Sequence, residues 1–165
     1  MGRASGGREP GSDTEVGAVA EALHALGGDP VALLLGRLGE RRGELVAALD
    51  GEALQAEVVV VDPGGEEASH LLVFGPDGSV GRLRPDGTLA AGFRAHLTLR
   101  GAGTDILALV LGELDVARAV YRGLLDLHVP PDELAPRFPG LMRVLATALL
   151  DLAHQGSGRA GPGRP

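Results

Sequence analysis

Between Phe93 and Val129 the chain reads strand, helix, helix, strand, and its two short helices carry more apolar surface than packing against one sheet requires. Phe93, Ala95, Leu97 and Leu99 alternate with Arg94, His96, Thr98 and Arg100. Such alternation marks a strand with one buried and one wet face. Gly101 and Gly103 then release the chain, and Thr104 or Asp105 is placed to cap a helix, because a short side-chain oxygen accepts from free first-turn amides. That helix, Ile106 to Leu114, is apolar almost all round. Helices of this kind are sandwiched between layers or line a cavity. Asp115 is placed to cap a second helix, Val116 to Arg122, which Gly123 ends. Leu125, Leu127 and Val129 then alternate with Asp126 and His128 as a second strand. No residue in the stretch is poised for bond-making chemistry, so the pattern favours a binder of apolar molecules over an enzyme.

The remaining elements follow from local signals. Residues 1–12 and 155–165 are rich in Gly, Pro, Arg and Ser and are expected to be disordered, leaving one domain over 13–154. Ser12 and Glu15 have capping-box spacing and open a helix to Leu26, closed by Gly27-Gly28. Asp29-Pro30 opens another helical region to Leu49, with Leu34, Leu35, Leu38, Leu45, Val46 and Leu49 on its apolar face and a break expected near Gly39. Strands are expected at Leu54–Val61, Ser69–Phe74 and Val80–Leu83. The turns Pro76-Asp77-Gly78 and Pro85-Asp86-Gly87 suit an antiparallel meander. A final amphipathic helix is expected from Gly140 to His154. Helices, three or four meandering strands, two helices, a strand and a helix make an α+β domain with helices on one face of an antiparallel sheet.

Composition narrows the function classes. The 165 residues include 44% hydrophobic but only 2% aromatic ones, so the core is built from Leu, Val and Ala. Formal charge is −7, and both tails are basic, so the folded part is more acidic still. An acidic surface without interleaved aromatics repels phosphate backbones and cannot stack bases, which argues against nucleic acid. The same charge argues against standing attachment to anionic membranes. Cysteine is absent, which removes disulfides, thiolate catalysis and zinc–thiolate sites. Without a signal-peptide pattern or a long apolar run, the expected location is the cytoplasm.

Candidate chemistry is sparse. Among His24, His70, His96, His128 and His154, none has helical ligand spacing. His96 and His128 fall on outward strand positions and could approach one another only if their strands pair. The serines lack a nucleophile-elbow motif. Asp62 to Glu67 reads as a solvated hairpin turn, and Arg41-Arg42 between Glu40 and Glu44 as a helical ion-pair face. No cofactor or metal is expected.

The opening stretch resembles the C-terminal half of the sterol carrier protein 2 family. The matching residues are Ala95, Leu97, Leu99, Asp105, Ile106, Leu107, Leu109, Gly112, Leu114, Asp115, Ala119, Gly123, Leu125 and Leu127. It departs after the last strand, where Val129-Pro130-Pro131-Asp132 replaces a Gly-Asp pair. The resemblance implies a five-stranded, mainly antiparallel sheet whose helix-covered face encloses an apolar tunnel. It also implies non-enzymatic binding, or transfer, of a sterol, fatty acyl chain or isoprenoid. On that reading Phe93, Leu97, Leu125 and Leu127 form one wall and Ile106, Leu109 and Val110 face them. Leu141, Met142, Leu145 and Leu149 form a lid. The alternative is an interaction module of the same fold, an accessory subunit of a lipid- or quinone-metabolism assembly, meeting a protein partner through the helix at 140–154.

Overall fold

Period-two runs of Leu and Val become strands, and the most apolar of them takes the centre of the sheet. The computed structural model describes residues 12–83, 95–128 and 136–159. Helices α1 (Ser12–Leu26), α2 (Pro30–Glu40) and α3 (Arg42–Leu49) precede strands β1 (Leu54–Val61), β2 (Glu67–Phe74) and β3 (Val80–Leu83). Strand β4 (Leu97–Ala102), helices α4 (Gly103–Val110) and α5 (Val116–Tyr121), strand β5 (Leu125–His128) and helix α6 (Phe138–Arg159) follow.

The fold is α+β, with one sheet in the order β3-β2-β1-β4-β5. Three strand pairs are antiparallel, and β1 with β4 is parallel. The simple meander expected from the turns is thereby corrected: β4 joins the far edge of β1 instead of extending from β3. The unbroken Val58-Val59-Val60-Val61 run lies on this central strand, hydrogen-bonded to β2 on one side and β4 on the other. Registers Val58↔His70, Val58↔Leu99 and Leu99↔Leu127 put Leu54, Ala56, Val58, Leu72, Phe74, Leu97, Leu99, Leu125 and Leu127 on one face.

Helices cover that face in two groups. Leu38, Leu45 and Leu49 of α2 and α3 pack with Leu141, Val144 and Ala148 of α6 over Leu54, Phe74 and Leu97. Leu109 and Ala119 of α4 and α5 pack over Leu99 and Leu125 in a second, smaller core. Leu127 and Phe138 touch both. Helix α1 lies against α6, with Val19, Ala22 and Leu152 buried between them.

Local chemistry accounts for most boundaries. Asp29 caps α2 by accepting from the Val31 amide at 3.0 Å, with Pro30 opening the helix. The break expected near Gly39 falls at Arg41, which bonds Glu44 at 2.9 Å and pairs with Asp151 of α6. Asp50 and Gly51, at φ 55° and 68°, close α3 in left-handed conformations. Asp115 caps α5 through the Arg118 amide, as expected.

Several boundaries differ from expectation: β2 begins at Glu67 instead of Ser69, and β4 begins at Leu97, with Ala95 and His96 outside the strand. Gly101 does not release the chain; it is a β4 residue opposite Leu125. A Cβ there would lie 2.5 Å from Leu125 Cδ2, so the side chain of the neighbouring strand occupies that space. Neither Thr104 nor Asp105 caps α4, because the helix begins at Gly103 after Ala102 and both residues already lie in its first turn. The same helix stops at Val110 instead of Leu114, since Gly112 at φ 80° turns the chain. Finally, α6 runs from Phe138 to Arg159, so 155–159, expected in the tail, are helical. Phe93, the Pro85-Asp86-Gly87 turn and Pro130-Pro131 lie outside the described residues.

The Pro76-Asp77-Gly78 turn also ties the β2–β3 hairpin to α3. Asp77 Oδ1 accepts from the Ser79 hydroxyl at 2.6 Å and the Ser79 amide at 3.0 Å, and Arg42 binds the Asp77 carboxylate and carbonyl. These bonds, those of Ser79 foremost, hold the Asp77 carboxyl down at about 2. A depressed carboxyl stabilises the fold above its unfolded value, about 3.9. That contribution disappears as pH falls through about 2. The melting temperature of the wild type is therefore expected to fall more steeply than that of Asp77→Asn between those two values. Parallel curves would show that Asp77 stabilises nothing.

Candidate ligand pocket

The inner sheet face and the helices above it do not close completely. Between them lies a cavity of about 240 Å³. Its floor is Leu54, Ala56, Val58 and Val60 of β1, Leu72 and Phe74 of β2, and Leu97 and Leu99 of β4. Helix α2 supplies Pro30, Val31, Leu34, Leu35 and Leu38; α4 supplies Gly103, Ile106, Leu107 and Val110; α6 supplies Phe138, Leu141, Met142, Leu145 and Leu149. Leu23 of α1 completes the wall. His70 is the one lining residue with a polar side chain.

Seven of the expected wall and lid residues meet here: Leu97, Ile106, Val110, Leu141, Met142, Leu145 and Leu149. Leu109, Leu125 and Leu127 do not line the cavity. Successive helical residues turn by about 100°, which groups Gly103, Ile106, Leu107 and Val110 on one side of α4 and sends Leu109 to the other. Leu109 is buried there against Ala119 and Leu125. Leu125 and Leu127 do face inward, but they sit on the edge strand beneath α4 and α5. Phe93 lies outside the described residues.

Residues of α2 and of β1–β2 were missed. The run Val31 to Leu35 is apolar without interruption, which reads equally well as core. His70 had a legible signal, since it shares the alternation of Leu72 and Phe74 and so belongs to the inner face.

His70 is part of a short polar chain at the pocket margin. Its Nδ1 lies 2.7 Å from the Arg82 guanidinium, whose other nitrogen pairs with the Asp29 carboxylate. Burial, and then the Arg82 charge, hold His70 below the ordinary imidazole range. Burial works to raise Asp29, but the bonds from Arg82 and the Val31 amide outweigh it and leave the carboxyl lowered. The pair His96 and His128 does not form a site. His96 Nδ1 accepts from the Gln55 amide at 3.1 Å, and His128 lies opposite Thr98. Among the described residues no three His, Asp or Glu side chains group to hold a metal. Nor is any single helix among them long and apolar enough to cross a membrane.

No protein-family model and no curated protein matches the sequence. Among solved structures, the chain is similar to a conserved hypothetical protein of Thermus thermophilus that has been suggested to be a sterol carrier protein. That match is 21% identical, covers 84% of this chain and 86% of the other, and has a TM-score of 0.47. The apo form of sterol carrier protein 2 from Yarrowia lipolytica is 15% identical, with 84% and 91% of the two chains covered and a TM-score of 0.45. Sterol carrier protein domain 2 of Helicoverpa armigera is 18% identical, with 88% and 96% covered and a TM-score of 0.43.

Proposed function

We propose that this protein binds an apolar ligand non-covalently in the pocket between sheet and helices, and holds or transfers it without converting it. The observation that carries the reading is the pocket itself: about 240 Å³ whose walls, His70 apart, are aliphatic or aromatic. Close-packed cores leave few voids larger than a water molecule. An apolar cavity of about 150 Å³ already admits a benzene-sized guest. Burial of hydrocarbon supplies the affinity, about 0.8 kcal/mol per methylene.

Size favours a slender guest. Pockets for drug-sized ligands start at about 300 Å³. An acyl or isoprenoid chain is slender enough to thread a space below that limit. The alternative interaction module is less favoured, because α6, its expected docking helix, is already packed by α1, α2 and α3.

Native mass spectrometry of freshly purified protein, followed by organic extraction and titration with a fluorescent acyl probe, tests the proposal. The expected result is co-purifying lipid or saturable probe uptake at one site per chain. A clean apo mass together with no probe uptake overturns it.

A further inference from the structure

The end of helix α5 differs from the rest of the surface. Among the described residues four large apolar or aromatic side chains are exposed, and three of them, Val120, Tyr121 and Leu124, fall in this one turn and the bend after it. Tyr121 is 92% exposed. From Ala117 to Leu124 only Ala119 is buried, in the second core. Single exposed apolar residues are ordinary, but clustered ones mark an interaction surface.

The same turn carries Arg118 and Arg122, spaced to lie on one side of the helix. Among the described residues neither guanidinium pairs with a carboxylate, whereas Arg41, Arg82 and Arg100 each do. The acidic residues nearest in sequence are engaged elsewhere: Asp115 caps the other end of α5, and Asp126 stands opposite Arg100. A chain of formal charge −7 thus presents a local patch of positive charge around exposed Val, Tyr and Leu.

Size and chemistry select the occupant. A stable protein partner engages about 20–30 residues a side, far more than this turn offers. A bilayer surface sets no such minimum. Tyrosine places its ring in the interface and its hydroxyl in water, and arginine keeps its charge among the headgroups. We infer that the turn from Arg118 to Leu124 docks on an anionic lipid bilayer, with Val120, Tyr121 and Leu124 entering the interface and Arg118 and Arg122 meeting lipid phosphates. The contact is transient, because the acidic remainder of the chain is repelled by the same surface. It does not depend on the pocket, which α5 does not line.

Tyr121 is the only tyrosine and tryptophan is absent, so its fluorescence reports this surface alone. Flotation uses vesicles of phosphatidylcholine, alone or mixed in equal parts with phosphatidylglycerol. The wild type is expected to float with the mixed vesicles, less with phosphatidylcholine alone and less as salt rises, and nitroxide-labelled lipid is expected to quench Tyr121. Each arginine beside an anionic leaflet strengthens binding about fivefold, so Arg118→Gln with Arg122→Gln is expected to weaken partitioning about thirtyfold. Tyr121→Ser is expected to weaken it as well. Both variants keep the wild-type melting temperature and acyl-probe uptake, since these side chains are exposed and lie outside the pocket. A wild type that does not float, flotation without quenching of Tyr121, or an unchanged double-arginine variant overturns the docking surface. So does a wild-type dimer in sedimentation that Tyr121→Ser dissociates, which assigns the turn to a second copy. Flotation without any probe uptake leaves the docking surface standing and removes the pocket reading instead.

Discussion

Leu145→Asp is expected to abolish acyl-probe binding in a protein that still folds, and Leu109→Ala to do the reverse. Leu145 lines the cavity from α6 and is only partly buried. Because that position keeps some exposure, a carboxylate there retains contact with solvent, so the cost to the fold is modest. Ligand entry closes that contact, and desolvating an unpaired ion costs several kcal/mol. A penalty of about 3 kcal/mol lowers affinity more than 100-fold. Leu109 is 4% exposed and packs in the second core, away from the cavity. Its truncation leaves a void and costs about 2–5 kcal/mol. For a domain of typical stability, about 5–15 kcal/mol, that is a large share. Urea unfolding and probe titration on both variants make the check. Leu109→Ala that folds normally yet loses the probe would put Leu109 back in the wall.

That contrast shows where sequence reading stopped. Strand positions followed from alternation, which is a local property, and Leu54–Val61 and Val80–Leu83 have the expected limits. Pairing is non-local. Nothing between Leu83 and Leu97 indicates that β4 will lie parallel to β1. Within the site, α6 was legible because it is amphipathic, with Leu141, Leu149 and Leu152 buried on one side and Arg143 and His154 exposed on the other. Helix α4 was not. From Ile106 to Val110 it is apolar without interruption, so that run by itself does not separate Val110, in the pocket, from Leu109, in the second core. The α2 wall was missed for a related reason: Leu34, Leu35 and Leu38 were recognised as apolar, but only the assembled layers show a gap between them and the sheet.

Gly156→Ala is expected to detach α1 from the end of α6. Glycine and serine around residue 156 suggested a tail, because glycine disfavours helix. In the fold, 156 is a helical residue pressed against α1, and the missing side chain is what permits the contact. A Cβ at Gly156 would run into the Ala22 carbonyl group, 2.7 Å from its carbon. Backbone cannot yield as a flexible side chain does, so α1 must shift. Alanine is the better helix former by about 1 kcal/mol in isolation. Tertiary strain of about 1–3 kcal/mol, typical of overpacking, opposes that gain and outweighs it here. The movement uncovers Val19, Ala22 and Leu152, all now buried, and withdraws Leu23 from the pocket wall. Hydrogen exchange is expected to show α1 amides losing protection while β1 and β2 keep theirs, with weaker probe binding alongside. A melting temperature raised by the substitution, with α1 still protected, would mean that helix propensity dominates and that the two helices do not meet at Gly156.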